Sequence, residues 1–182
     1  MNWRDYWSKM LGTRQASPPP VSRGEILWSG LGGFVGVAAI AWVETLWLAD
    51  QDLHLMIGSF GASAVLVFGA IRSPLAQPRN LIGGHFLSAL VGVAAYQLAQ
   101  PLPWLAASLA VAGAISVMHA TRTLHPPGGA TALIAVIGSE HIHRLGWWYP
   151  LMPVTLGVLI LLLVALLFNN LAPDRRYPEI WW

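Results

Sequence analysis

Apolar residues dominate the chain in six runs that alternate with short segments rich in proline and charged residues. Five runs have the roughly 17–25 residues that a helix needs to cross a bilayer. The second run is interrupted near its start by glycine and serine, and the fifth is short. The runs cover residues 26–49, 55–71, 81–99, 104–120, 127–139 and 151–171. This pattern predicts an all-α polytopic membrane protein with about six crossings.

The fifth run begins with two prolines and two glycines. The residue before a proline avoids the α region, so His125 and Pro126 are predicted to be extended, whereas Pro127 suits the first position of a helix. A helix over 127–139 is only about 20 Å long and cannot span the membrane alone. We therefore expect a half-helix that starts inside the membrane, where the bare amides of Gly128 and Gly129 allow close backbone approach and can hold an anion.

The second run resembles the fifth, because residues 61–69 match residues 129–138 in their order of small, hydroxyl and branched side chains, allowing one extra residue. A second half-helix is therefore predicted to begin near Ser59. The chain divides into two three-element halves, about 26–99 and 104–171. Because three is odd, the halves must be inverted relative to each other, as in many transporters. Chance similarity between glycine-rich and alanine-rich runs is the alternative.

The inverted plan brings the N-terminal ends of both half-helices towards one site near the membrane midplane. The residues predicted to bind substrate there are Ser59, Gly61, Ser63, His125, Gly128, Gly129 and Thr131. Ser63 and Thr131 occupy matching positions and either donate to the substrate or bond to the carbonyl one turn back. His125 either donates to an anion or hydrogen-bonds carbonyls freed by the helix break. The sequence leaves these alternatives open.

Basic residues lie mainly in the connecting segments. Segment 1–23, the loop at 72–80, Arg122 and the tail 173–182 are predicted to be cytoplasmic by the positive-inside rule. The first of these is predicted to form an amphipathic helix suited to the membrane surface, followed by a proline-rich linker. A four-span alternative, with both interrupted runs as re-entrant loops, also keeps both termini inside. The run 151–171, the most hydrophobic, is expected to be the most exposed to lipid.

Composition narrows the class of protein. With 55% hydrophobic and 10% charged residues, the chain is predicted to be an integral membrane protein. A formal charge of +2 is too small and scattered to indicate nucleic-acid binding. The absence of cysteine excludes disulfides and thiolate chemistry. His119 and His125 without a neighbouring carboxylate make a poor metal site, so neither a metal nor a cofactor is expected.

Three motifs resemble the HPP family of integral membrane proteins: His125-Pro126-Pro127 with the glycines that follow, residues 58–66, and residues 73–80 followed by Gly83-Gly84-His85. The resemblance covers roughly residues 28–170, the core of a transmembrane domain predicted at 24–172. It implies transport of nitrite, because plastid and cyanobacterial members are associated with nitrite movement across membranes. For this chain we expect the plasma (inner) membrane of a bacterium, with homo-oligomer formation left open.

These observations favour a non-enzymatic transporter whose partners are a small monovalent anion, above all nitrite, and the lipid bilayer. A membrane-embedded enzyme is the first alternative, but the sequence offers no buried carboxylate and no nucleophile–base pair. A non-transporting scaffold is the second, although helix breaks are tolerated mainly where they line a cavity. His85 is expected to pack against a neighbour. Arg79 and Asn80 either anchor the topology or attract anions.

Overall fold

The computed structural model describes residues 2–11, 17, 19–47 and 58–182, and all regular structure in these ranges is helical. The helices are α1 (Trp3–Met10), α2 (Arg23–Trp47), α3 (Ser59–Ala64), α4 (Pro78–Ala99), α5 (Pro103–Ala120), α6 (Pro126–Ile137), α7 (Glu140–Leu145) and α8 (Leu156–Asn169). A wider π-helical segment, Val65–Gly69, continues α3, and another, Pro150–Thr155, precedes α8.

Four helices of the described chain are long and apolar enough to cross a membrane: Arg23–Leu46, Pro78–Ala99, Pro103–Ala120 and Pro150–Asn169. Two shorter apolar helices, Ser59–Gly69 and Pro126–Ile137, occupy the two interrupted runs. Both predicted half-helix starts are confirmed, since α3 begins at Ser59 and α6 begins at the double proline with an extended His125 as its N-cap. The expectation that Pro126 is extended is wrong, because the helix begins one residue earlier than predicted and Pro126 occupies its first position. The Asp50-Gln51-Asp52 segment, for which the sequence indicates an acidic turn, lies outside the described residues.

Loops at one end of the bundle are joined by ion pairs and hydrogen bonds. Arg175, beyond α8, pairs with Glu25 at the start of α2, with 2.7 Å between Nη2 and Oε1. The phenol of Tyr177 donates over 2.8 Å to the carbonyl of Ala76, in the loop between α3 and α4. Arg79, at the start of α4, donates to the loop that follows α5. The helices therefore alternate in direction as the six-crossing arrangement requires, whereas the four-span alternative would separate the Ala76 loop from the C-terminal tail.

Two apolar cores position the helices. In the first, α2 and α8 enclose the ring of Phe68, and a Cβ added to Gly32 or Gly36 would lie 2.5 or 2.6 Å from that ring. The second core, between α4, α5 and α6, is lined largely by alanines, among them Ala106 and Ala110. Because these side chains are small, the backbones of the three helices approach closely. This close packing brings α4 against the start of α6.

The expectation that residues 151–171 form the helix most exposed to lipid is wrong. In the span Pro150–Asn169, 39% of the residues are buried, against 17% in Arg23–Leu46. Val158 and Leu161 of α8 belong to the first core. Lipid tails and a protein core are similarly apolar, so hydrophobicity does not tell which of the two a helix face contacts.

Helix α1 has no buried residue and exposes its aromatic side chains, including Trp3 and Trp7. Its amphipathic pattern agrees with the predicted helix. That it lies on the membrane surface stays a prediction.

Candidate functional site

A chain of side chains joined by hydrogen bonds is buried where α3, α4 and α6 meet. We call it the polar chain; its members, Ser59, Ser63, His85, His125 and Thr131, are all 0% exposed. The Oγ of Ser63 lies 2.7 Å from Nε2 of His85 and 2.9 Å from Nε2 of His125. The Oγ1 of Thr131 lies 2.7 Å from Nδ1 of His85 and donates to Oγ of Ser59 over 2.9 Å. The polar chain thus runs Ser59, Thr131, His85, Ser63, His125.

The two short helices pass each other in opposite directions within the polar chain. Ser59, the first residue of α3, lies beside Thr131 in the second turn of α6. Ser63, one turn later in α3, lies beside His125, the N-cap of α6. The two helix starts therefore flank His85, as expected of two opposed half-helices. That the halves of the chain form an inverted repeat stays a prediction.

His125 is positioned by contacts on two sides. Its Nδ1 donates over 2.8 Å to the carbonyl of Leu75, since a carbonyl can only accept. On the other side, a Cβ added to Gly84 would lie 2.5 Å from the Cβ of His125. Asn80 donates over 2.8 Å to the carbonyl of Leu124, directly before the histidine. Helix α4 therefore fixes the loop that ends at His125.

The carbonyl of Leu75 belongs to a 3-10 turn, Pro74–Ala76, that is braced by Gln77. The Nε2 of Gln77 donates over 2.9 Å to the carbonyls of Ile71 and Ser73. Its Oε1 accepts from the amide of Glu179 in the C-terminal tail, also over 2.9 Å. The tail thus helps to set the position of the acceptor that orients the His125 ring.

Four of the predicted site residues lie in the polar chain, and the three predicted glycines do not. Gly128 is buried against α4, where an added Cβ would lie 2.7 Å from Oγ of Ser88. Gly61 and Gly129 have open space at the position of a Cβ, and Gly129 lines an apolar groove of about 540 Å³ between α5 and α6. Gly128 therefore meets α4 at backbone distance and Gly129 does not, and the approach of an anion to their amides stays a prediction. Successive residues of a helix point about 100° apart, so only one of two neighbours can face α4.

Of the two roles that the sequence left open for the hydroxyls, the bond to the carbonyl one turn back is present, and donation to a substrate stays a prediction. Ser63 also donates over 3.1 Å to the carbonyl of Ser59, and Thr131 over 3.4 Å to the carbonyl of Pro127. Each hydroxyl makes a shorter contact with His85. Arg79 and Asn80 donate to carbonyls of the loop before α6, so both act in the structure as supports of His125.

Sequence reasoning did not identify three residues around the polar chain. His85 packs edge-on against Phe60, as expected of a neighbour contact, but it also occupies the centre of the polar chain. An ionisable side chain inside an apolar run was the available signal. Tyr149 is fully buried and donates over 3.0 Å to the carbonyl of Thr131. Ser88, one turn beyond His85, is buried and its hydroxyl has no partner.

The polar chain can donate hydrogen bonds and carry a proton, and Arg79, at the start of α4, is the one fixed charge in the segments that pack around it. The segments that pack around it, 59–69, 73–99, 126–137 and 149–169, contain no Asp, Glu or Lys. Among the described residues, no group of three His, Asp or Glu is placed to hold a metal ion. Because every member is fully buried, a solute can reach the polar chain only if the helices around it move apart.

Comparisons with known proteins agree with this architecture. The model of the family described as HPP, transmembrane region, matches residues 18–178. Two transmembrane proteins of Dictyostelium discoideum are 46% identical over 181 residues and 45% identical over 182. Each alignment covers 97% of this chain but only 63% or 57% of the relative, so the chain spans about three fifths of their length. No solved structure matches the chain.

Proposed function

This chain belongs to the HPP transmembrane family and is an integral membrane protein, and on that basis we propose that it transports a small monovalent anion, with nitrite as the preferred substrate, and is not an enzyme. The membrane that we propose is the plasma (inner) membrane of a bacterium. The names of the two Dictyostelium relatives state only that they are transmembrane proteins. The substrate is therefore proposed from the chemistry of the site and from the resemblance given above.

The polar chain is the observation that supports transport. Polar and ionisable side chains at membrane depth are costly and are found mainly where they line the path of a solute. Here two histidines and three hydroxyls converge at the starts of two short helices in an otherwise apolar bundle. Each helix start adds roughly half a positive charge in partial dipoles. Discontinuous helices that meet in this way form the substrate sites of many transporters.

The hydroxyl and imidazole N–H groups of the polar chain become available to an anion when α3 moves away from α6. That movement breaks the contacts between Ser63 and His125 and between Thr131 and Ser59, which are the links between the two helices. The freed hydroxyl and N–H groups can then surround a small planar anion. Ser88 adds a hydroxyl that already lacks a partner, beside the first turn of α6.

Donors without a fixed charge favour weakly hydrated monovalent anions. Each helix start supplies up to about 2 kcal/mol when partly buried, which permits binding without trapping the ion. Sulfate and phosphate lose far more hydration energy, and such a site cannot offset that loss. Nitrite and nitrate should therefore compete with each other, and sulfate should not.

A cleft at the tail end of the bundle is the proposed cytoplasmic vestibule. It encloses about 530 Å³ and lies between the start of α2, residues 69–73 and the C-terminal tail. Arg72 is among its lining residues, and the π-helical continuation of α3 ends at its wall. A shift of α3 would therefore change the shape of this cleft and the packing of the polar chain together.

Uptake of nitrite by purified protein in liposomes tests the proposal. Protein-free liposomes give the background, because nitrous acid crosses lipid unaided. We expect Ser63→Ala to lower the protein-dependent rate by about tenfold, the equivalent of one lost hydrogen bond to a charged group. Ser116→Ala, on the exposed side of α5, is the matched control. Wild-type uptake equal to the background would favour the enzyme or scaffold alternatives, and sulfate uptake as fast as nitrite uptake would contradict the proposed selectivity.

A further inference from the structure

We propose that His85 and His125 together bind one proton, which crosses the membrane with the anion, so that transport is electroneutral symport. This inference rests on the proposed function and names its coupling ion. The two imidazole rings lie 4.9 Å apart between their centroids and are bridged by Ser63. The hydrogen bonds of the polar chain can be completed either with two neutral rings or with one added proton.

The two ends of the polar chain differ in what they fix. A carbonyl only accepts, so the contact with Leu75 places a hydrogen on Nδ1 of His125. At the other end a hydroxyl hydrogen can point either way, and in one arrangement Thr131 donates its hydrogen to Ser59. Three contacts remain between these ends: His125 with Ser63, Ser63 with His85, and His85 with Thr131.

In this arrangement Ser63 directs its single hydrogen to a histidine rather than to the carbonyl of Ser59, so imidazole N–H groups supply the other two. His85 supplies one from Nδ1 towards Thr131. Either His85 or His125 supplies the second from Nε2. With Nδ1 of His125, the two rings then carry three N–H groups, one more than two neutral imidazoles possess. This arrangement therefore holds one proton shared by the pair.

The proton leaves from Nδ1 of His85 to water or to the bound anion once α3 and α6 separate, and the hydroxyl groups then rotate. Thr131 turns its hydrogen to Nδ1 of His85, and Ser59 donates to Thr131 in return. His85 then donates from Nε2 to Ser63, and Ser63 donates to Nε2 of His125. Each contact again contains one hydrogen, and both rings are neutral. The polar chain thus has a complete set of hydrogen bonds with and without the added proton, whereas a second proton is opposed by repulsion between two like charges in adjacent rings.

A buried imidazolium needs a counter-ion, and the protein does not provide one. The segments around the polar chain contain no Asp or Glu. Their other titratable side chains are engaged elsewhere: Arg79 donates to a loop carbonyl, Tyr96 stacks on His143, and Tyr149 donates to the backbone of Thr131. The transported anion is left as the counter-charge. Proton and anion then strengthen each other's binding by linkage.

Separate driving forces distinguish symport from uniport in liposomes. In one set of liposomes, a potassium gradient and valinomycin impose a membrane potential at equal pH on both sides. In the other set, a pH gradient is imposed at zero membrane potential. We expect protein-dependent nitrite uptake to follow the pH gradient and to ignore the potential. An anion uniporter would instead change its accumulation ratio about tenfold for every 60 mV or so.

The variants His85→Gln and His125→Gln keep an amide that can hydrogen-bond but cannot bind a proton. Each should weaken the response to the pH gradient by about tenfold. His119→Gln, on the exposed side of α5, should retain it. Wild-type uptake driven by potential alone would overturn the proton inference and leave anion transport standing. No protein-dependent uptake under either force would overturn both. The wild-type result distinguishes symport from uniport even if a histidine variant fails to fold.

Discussion

Gly84 of α4 lies directly against His125: a Cβ built on the glycine would stand 2.5 Å from the Cβ of the histidine and 2.9 Å from the carbonyl oxygen of Thr123. Because the glycine has no side chain, α4 contacts the loop before α6 at backbone distance. This contact sets how far the imidazole reaches towards Ser63 and Leu75.

Gly84→Ala should therefore displace His125. We expect it to lower the free energy of unfolding by about 1–3 kcal/mol, the usual cost of overpacking a tight contact. Nitrite uptake should fall with it. Gly33→Ala is the control, because an added Cβ there meets nothing within 4 Å. Thermal unfolding in detergent compares the two variants, and equal stability of both would show that the Gly84 contact does not constrain the site.

The neighbouring glycines at the start of α6 should differ in the same way. Gly128→Ala puts a methyl group 2.7 Å from Oγ of Ser88 and 2.8 Å from the carbonyl of Gly84, so it should separate α6 from α4 and destabilise the protein by about 1–3 kcal/mol. Gly129→Ala faces the open apolar groove and should be tolerated. Melting temperature and uptake measured on both variants test this; a larger loss at Gly129 would mean that the helix is rotated from its described orientation.

Local backbone rules explain why the sequence predicted the half-helix starts. A proline restricts the residue before it and favours the first turn of a helix, so the start of α6 followed from residues 125–127 alone. The central role of His85 could not be predicted in this way. Its partner Thr131 is 46 residues away and the link depends on the packing of α4 against α6.

The rotation of a helix about its own axis is the second feature that could not be predicted from the sequence. Gly128 and Gly129 are chemically identical, and only the rotation of α6 decides which one meets α4. Tyr149 follows two exposed tryptophans and is of a residue type common at the membrane–water interface. Its phenol is nevertheless buried against the carbonyl of Thr131. In both cases the amino-acid type permits either environment, and the tertiary packing selects one.

The direction of the short helices can be tested by labelling, since the chain contains no cysteine. Arg72→Cys and Ser139→Cys replace exposed residues beyond the ends of the two short apolar helices. With six crossings, a membrane-impermeant maleimide applied to one side of oriented vesicles should label only one of them. Labelling of both from the same side would favour the four-span alternative. Ser17→Cys reports the side of the N-terminal segment and should label with Arg72→Cys.

Arg175 connects the C-terminal tail, through Asn169, to the π-helical segment that continues α3. Its side chain is 2% exposed and donates to Glu25, to Ser29 over 2.7 Å and to Oδ1 of Asn169 over 2.9 Å. Asn169 in turn donates over 2.9 Å to the carbonyl of Val67, in the π-helical segment that continues α3. A single guanidinium therefore ties the tail to α2, to α8 and, through Asn169, to the helix that carries Ser63.

Arg175→Gln should destabilise the protein because it leaves the Glu25 carboxylate and the Asn169 carbonyl without their donor. Breaking a buried ion pair costs about 3–5 kcal/mol, and we expect the lower end because the Glu25 side chain is 32% exposed. Arg176→Gln removes the same charge from an exposed position and is the matched control. Thermal unfolding at low and high salt measures both. A double variant, Arg175→Gln with Glu25→Gln, should recover part of the loss, because no buried charge is then unpaired. If Arg175→Gln and Arg176→Gln unfold at the same temperature, the tail is not anchored through Arg175 and its link to α3 has no energetic weight.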